Sequence, residues 1–451
     1  MSKTLTVGIG ILVGISSIAQ VHAQDFTEDL KLTASDAASP DLFGWSVAMN
    51  NGVVVVGSPL DDDQGFNSGS AYLYDAAAGT ELLKLTAVDG ADRDEFGFSV
   101  DMADGIVVVG AYLDDDHGSG SGSAYLFDAT TGMQLAKLTA SDAMAGVNFG
   151  WSVAIDGGIV AVSAVGDNVF GFASGSVYLF DAATGVQISK LAPNDGEGFD
   201  LFGFSVDIDG DTLVIGAPGG GDQGSGSGSA YTFNAATGMQ ISKLLSSDGE
   251  TGHRFGVSVA IDDGIAVVGA PSTREFGPDT GSAYIFDAIT GTQSAKLNAS
   301  DATFRDEFGT SVGIDNGIVA VGAVGEDDFM SANFGTAYLF SAATGVQIAR
   351  FSASDEEIGD ELGFSIGIDN GVVVAGAPHS DDQGSSSGSA YVFDVTCSAD
   401  LTGDFELNFL DVSAFLAAFG NQDSIADFTG DGQFNFLDVS AFLQAFGVEC
   451  P

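Results

Sequence analysis

The chain is predicted to be all-β: a seven-bladed β-propeller whose N-terminal strand closes the last blade, followed by a small α-helical module. Three observations carry this prediction: an internal repeat of 53 residues, four short strand patterns in each copy, and a change of pattern after residue 396. The pair Phe-Gly recurs at Phe43, Phe96, Phe149, Phe202, Phe255 and Phe308, with Leu362-Gly363 as the seventh copy. A tyrosine keeps the same step at Tyr72, Tyr125, Tyr178, Tyr231, Tyr284, Tyr338 and Tyr391.

Within the second copy, residues 98–102 and 106–111 are strand-like and meet at the turn Ala103-Asp104-Gly105. The glycine-rich acidic loop 114–122 leads to a third strand at 123–127, and a turn at Thr131-Gly132 leads to a fourth at 134–139. X-Gly turns of this kind suit tight hairpins that need positive φ. The fourth strand carries one basic residue between apolar neighbours: Lys31, Lys84, Lys137, Lys190, Lys243, Lys296 and Arg350. Lys31 precedes the first Phe-Gly, and the last copy stops at Asp394 without a fourth strand. Residues 30–34 are therefore expected to complete the seventh blade. A charge on the outermost strand also discourages edge-to-edge pairing.

One aspartate recurs between copies, at Asp36, Asp89, Asp142, Asp195, Asp248, Asp301 and Asp355. Seven identical positions point to a loop-capping role more than to a ligand or catalytic acid, which needs unlike neighbours. The acidic loops 61–63, 114–116, 326–328 and 381–382 are uneven between blades. They read as a solvated rim, or as oxygen ligands for a hard cation. Trp45 and Trp151 share their place with Phe98, Phe204 and Phe364, which points to packing beside the inner strand.

Lys+Arg is 12 against 63 Asp+Glu, a net charge of −51, which excludes nucleic-acid binding through a basic face. Apolar residues at 45% exclude a disordered acidic chain. The two cysteines exclude a disulfide-dense scaffold and a multi-cysteine metal cluster. Lys3, the apolar run 5–18 and Val21-His22-Ala23 read as a secretory signal over residues 1–23. The expected mature chain has no membrane span and is secreted or cell-surface attached. Its histidines, His117, His253 and His379, lie on different copies, and no nucleophile sits beside a base. No catalytic residue is assigned.

After Cys397 two related segments follow, 399–420 and 426–447. The first carries oxygen donors at Asp400, Thr402, Asp404, Asn408 and Asp411, with Glu406 at the position that offers its carbonyl. The second repeats them at Asp427, Thr429, Asp431, Asn435 and Asp438, with Gln433 at the carbonyl position. This is the spacing of an EF-hand-like Ca2+ loop. A helix is expected after each loop, with Val412, Phe415, Leu416 and Phe419, and then Val439, Phe442, Leu443 and Phe446, on one face. Gly420 and Gly447 are placed to end these helices. In an exported chain the only cysteines, Cys397 and Cys450, are expected to pair and tie the module's ends together.

The repeats over 27–396 resemble the FG-GAP repeats of integrin-α-like propellers, in the secreted bacterial variety. Their Phe-Gly, Val-Gly-Ala-Pro-like and Gly-Ser-Ala-Tyr segments occur in the family's order. The calcium loop of integrin-type repeats is missing, because short turns such as Asp262-Asp263-Gly264 stand in its place. Residues 397–451 resemble a dockerin, which implies calcium-dependent anchoring to a cohesin-like or cell-surface protein. Two positions depart from the EF-hand pattern: Phe405 replaces the turn glycine of the first loop, and each loop ends in Asp instead of Glu. Dockerins use loop positions 10 and 11 for partner recognition; here these are Phe409-Leu410 and Phe436-Leu437, either half-exposed contacts or core. The expected function is a non-catalytic binding or adhesion protein with an unidentified glycan or protein ligand on the propeller loops. The alternative is a polysaccharide-acting hydrolase or accessory subunit carried on a dockerin.

Overall fold

The computed structural model describes residues 24–325, 333–395, 399–402, 407–430 and 432–446. The chain enters through two short strands, β1 (Gln24–Thr27) and β2 (Leu30–Leu32). The first blade follows as β3 (Ser46–Asn50), β4 (Val53–Ser58), β5 (Ser70–Asp75) and β6 (Glu81–Leu85), an antiparallel sheet in that order. Five further four-stranded blades repeat the pattern. The last has only three strands of its own, Ser365–Asp369, Val372–Ala377 and Ser389–Asp394, and β2 supplies the fourth. Leu30, Lys31 and Leu32 pair with Val392, Tyr391 and Ala390, so the expected closure of the ring is found. The sequence pattern did not announce β1, which runs parallel to the outer strand of the sixth blade (Gln347–Ser352) as a fifth strand. Phe26 of β1 packs 5.7 Å from Phe351.

The period of the repeat has a steric origin. Gly97 has φ +92°, and a Cβ there would lie 2.2 Å from the Ser70 carbonyl oxygen of the neighbouring blade. Gly57 of the first blade faces it, with the Gly97 carbonyl oxygen 2.0 Å from any added Cβ. Backbones meeting this closely exclude every side chain. Phe96, fully buried beside them, turns its ring edge-on to Tyr125 and Phe127 at 5.5 and 5.7 Å. The core therefore consists of layers between blades. Val55 and Leu73 of one blade pack with Phe96, Val107 and Tyr125 of the next, for example.

Beyond the propeller lie α1 (Phe409–Asn421) and α2 (Phe436–Phe446), separated by a 3₁₀ turn at Ser424–Ala426. Phe415 and Phe442 stack face to face at 4.1 Å, and Ala399, Ala418 and Ala426 are buried around them. Two expectations are corrected here. Leu416 and Leu443 are 59% and 55% exposed, because the stacked rings fix each helix's rotation and turn these leucines outward. Gly420 lies inside α1, and Gln422, at φ 57°, takes the left-handed cap position. Gly447 lies outside the described residues.

A variant beginning at residue 34 lacks β1 and β2 and leaves the edge at Tyr391 unpaired. It is expected to melt well below the chain that begins at residue 24 and to self-associate. A variant beginning at residue 29 keeps β2 and should lose less. Calorimetry and size-exclusion chromatography of the three forms check this.

Candidate functional site

The seven basic residues of the outer strands do not project into solvent as edge charges; they are tied down on the loop side of the ring. Lys137 stands opposite Tyr125 in the strand register, with its ammonium 5.2 Å from the ring centroid. Its Nζ reaches Asp89 at 2.7 Å, Asp114 at 2.9 Å and Asp116 at 2.5 Å. The Tyr125 hydroxyl donates to Asp114 at 2.8 Å. Lys84 repeats this with Asp36, Asp61 and Asp63 at 2.6, 3.0 and 2.5 Å. Lys190 and Lys243 likewise bind Asp142 with Asp167, and Asp195 with Asp222. Lys296 binds Asp248 with Glu275, and Lys31 binds Asp355 with Asp382. In the sixth blade Arg350 Nε lies 3.2 Å from Asp301.

The recurring aspartate is thus an ion-pair partner across the blade connection, beyond the loop cap expected of it. The acidic loops are also less solvated than expected: Asp61 and Asp114 are buried, whereas Asp62, Asp63, Asp115 and Asp116 are exposed. Loop residues 326–328 lie outside the described residues. Carboxylate oxygens of Asp36, Asp61 and Asp63 fall within 4.8 Å of one another, a cation-sized cluster whose centre the Lys84 ammonium fills. Burial alone would push the Asp36 carboxyl up, but Lys84 and Tyr72 outweigh it and hold it below the usual range.

The first strands of all seven blades line an axial channel of about 640 Å³. Trp45 and Trp151 are half-buried in its wall and make ring contacts across blades, as packing beside the inner strand requires. The wall also holds Asp101 and Asp207, which sequence reading passed over. Asp101 accepts the Ile155 amide at 2.7 Å, and Asp207 accepts the Ile261 and Ile208 amides at 2.7 and 2.8 Å. Burial pushes Asp101 up to about 6. Burial, with the charge of Asp101, pushes Asp207 up to about 8. The only available signal was irregularity, since the other copies carry Ala48, Ala154, Ala260, Gly313 and Gly367 at this position.

Among the described residues the histidines form no catalytic group. His117 is exposed; His253 is buried and accepts the Glu250 amide at 3.3 Å; His379 lies 3.5 Å from Glu361.

Among the described residues of the C-terminal module, the two loops make matching contacts. Thr402 donates its amide and hydroxyl to Asp411 Oδ1 at 3.1 and 2.8 Å, and Thr429 does so to Asp438 at 3.1 and 2.7 Å. The same hydroxyls also reach Asp400 at 3.2 Å and Asp427 at 3.4 Å. The second carboxylate oxygens accept the Asn408 and Asn435 amides at 2.9 and 2.8 Å, while the asparagine side chains accept the Leu410 and Leu437 amides. Asp411 and Asp438 are completely buried. The Asn435 amide, with Thr429, holds the Asp438 carboxyl below its usual range. Gln433 is exposed, and its carbonyl accepts from Asn435 at 3.2 Å. Asp404, Glu406, Asp431, Cys397 and Cys450 lie outside the described residues, as does the expected signal 1–23. Phe409, Leu410, Phe436 and Leu437 are 77%, 59%, 77% and 58% exposed, so they are surface and not core.

Fold and repeat geometry define a seven-bladed propeller built from one duplicated unit. Matches to the FG-GAP repeat family model run in succession over residues 26–74, 80–127, 133–180, 186–233, 239–286, 292–340 and 346–393. The chain belongs to the FG-GAP repeat family. No curated protein matches it. Among solved structures, the computationally designed Ika8 protein aligns at 15% identity and a TM-score of 0.49, covering 82% of this chain and 100% of its own.

Replacing Lys137 by Met leaves buried Asp114 without its cation and is expected to cost about 2–4 kcal/mol in denaturant unfolding. Lys137→Arg, the residue type of the sixth blade, should retain most of that stability. Asp207 binds its proton more tightly folded than unfolded, so its contribution to stability falls as pH rises from about 4 to 8. Between about pH 5 and pH 9 the melting temperature should therefore drop more in the native chain than in Asp207→Asn.

Proposed function

We propose that the protein is exported and acts without catalysis. The propeller is a ligand-binding platform, and residues 397–451 are a dockerin-like anchor that binds a cohesin-type partner when loaded with calcium. The observation that carries this reading is the duplicated loop–helix geometry, in which Asp411 and Asp438 are buried at equivalent places. Residues 397–451 contain nine acidic residues and no basic one, so no side chain within the module neutralises them. The oxygen donors suit a hard divalent cation. Asp400, Thr402, Asn408 and Asp411 would hold one ion, with Asp404 and Glu406 completing the set. Asp427, Thr429, Gln433, Asn435 and Asp438 would hold the other with Asp431. When bound, the ion supplies charge neutralisation and becomes part of the module's folding free energy.

Phe409-Leu410 and Phe436-Leu437 offer two equivalent apolar pairs to a partner. A Cys397–Cys450 bond would join the module's ends. On the propeller, Phe66, Phe172, Phe199 and Phe276 are exposed on the blade loops, which favours a glycan or protein ligand on that face. Export is supported by the signal-like residues 1–23.

Calorimetry of the full chain with calcium and then with a chelator tests the anchor. A low-temperature transition with loss of helical circular dichroism is expected on chelation, with the propeller transition unchanged. Identical profiles in both conditions would remove the metal assignment. Incubating the full chain with a glycan panel tests the absence of catalysis, and turnover would overturn it.

A further inference from the structure

The axial channel carries unlike chemistry along its length. Where the blade connections enter the inner strands, Phe364, Trp45, Phe98, Trp151 and Phe204 form an unbroken arc over five blades. Successive ring centroids are 4.6, 5.6, 5.0 and 5.5 Å apart. Tyr112 supports the arc from 4.2 Å behind Phe98 and 5.2 Å from Trp151. All five members are half-buried and line the channel, and Val257 and Thr310 complete the circle. Three residues further along two of these strands stand Asp101 and Asp207. At the far end, Asp156, Asp262, Asp315 and Asp369 each accept an amide of the next blade's turn.

Eight carboxyl groups line this channel against one guanidinium, that of Arg254, and the balance stays negative while Asp207 holds its proton, which a neighbouring ammonium would displace. Such a balance repels anions. Aromatic rings, in turn, attract organic cations through their quadrupoles. Each carboxylate oxygen keeps lone pairs beyond the amides it already accepts. At ~3.3 Å per strand residue, the arc and the Asp101–Asp207 level are roughly 10 Å apart. We propose that the channel binds a linear polyamine, one ammonium against the aromatic arc and another between Asp101 and Asp207. A divalent metal ion gains little from the rings, and a neutral glycan leaves the carboxylates without a counter-charge, so neither uses both features. This site is separate from the anchoring role proposed above and does not depend on it.

Trp45 and Trp151 are the only tryptophans in the chain, so intrinsic tryptophan fluorescence reports on the arc alone. Spermidine titrated into the full chain at constant ionic strength is expected to change that fluorescence saturably. The double variant Asp101→Asn with Asp207→Asn should weaken the apparent affinity about tenfold or more, as expected for lost charge partners. Asp62→Asn, on an exposed loop, should leave it unchanged. Magnesium at matched ionic strength should not reproduce the change. The proposal is overturned by no saturable response up to about 10 mM spermidine, by an equal response to magnesium, or by native affinity in the folded double variant. Should that variant fail to fold, Phe204→Leu supplies the second arm: weakened binding supports the site and native binding overturns it.

Discussion

Backbone meeting backbone at the glycine positions is the constraint on which the ring depends. Gly57 against Gly97, and Gly69 against Phe96, leave no room for a Cβ, with gaps of 2.0 Å in each case. That contact sets the distance between adjacent blades, and the distance sets which side chains fill the layer. Phe96 with Tyr125, and its equivalents in the other layers, then pack edge-on at 5.5–5.6 Å. A substitution at Gly97 or Gly69 forces two blades apart along their inner strands, whereas the position of Gly57 holds Ser163 in the third blade, where the Ser163 Cβ faces Gly203. The repeat is therefore spelled by contacts between copies at least as much as by the fold of each copy.

Charge is organised on the same period. Lys31, Lys84, Lys137, Lys190, Lys243, Lys296 and Arg350 are seven of the 12 basic residues, and all seven are committed to carboxylates inside the molecule. Few cations remain to balance the other acids, so the outer surface and the channel present an almost uniformly negative field. Organic cations and hard metal ions are the solutes such a field concentrates, and anionic polymers are excluded from it.

The blade number and the closure by β2 were legible because both follow from counting: seven Phe-Gly positions, and a Lys31 that precedes the first of them. The ion-pair clusters kept the same period, yet their partners lie 48 and 23 residues apart, and spacing alone does not say that such distant positions meet. β1 was hidden because a four-residue parallel strand carries no pattern of its own. Asp101 and Asp207 broke the repeat in only two copies, and a search for regularity passes over such exceptions. In the helical module the apolar spacing marked the helices correctly but misplaced Leu416, because the Phe415–Phe442 stack fixes the rotation that spacing leaves open.

The shared seventh blade imposes an order on biogenesis. Asp29, beside β2, receives a hydrogen bond from Asp394, 365 residues later in the chain. At ribosomal speeds of about 5–20 residues per second, the leading segment waits roughly 20–70 s for its partner strand to be made. Throughout that interval the nascent ring is open, with two unsatisfied sheet edges. Completion thus waits until residue 394 has been made, and the last seam of the ring is sewn only then.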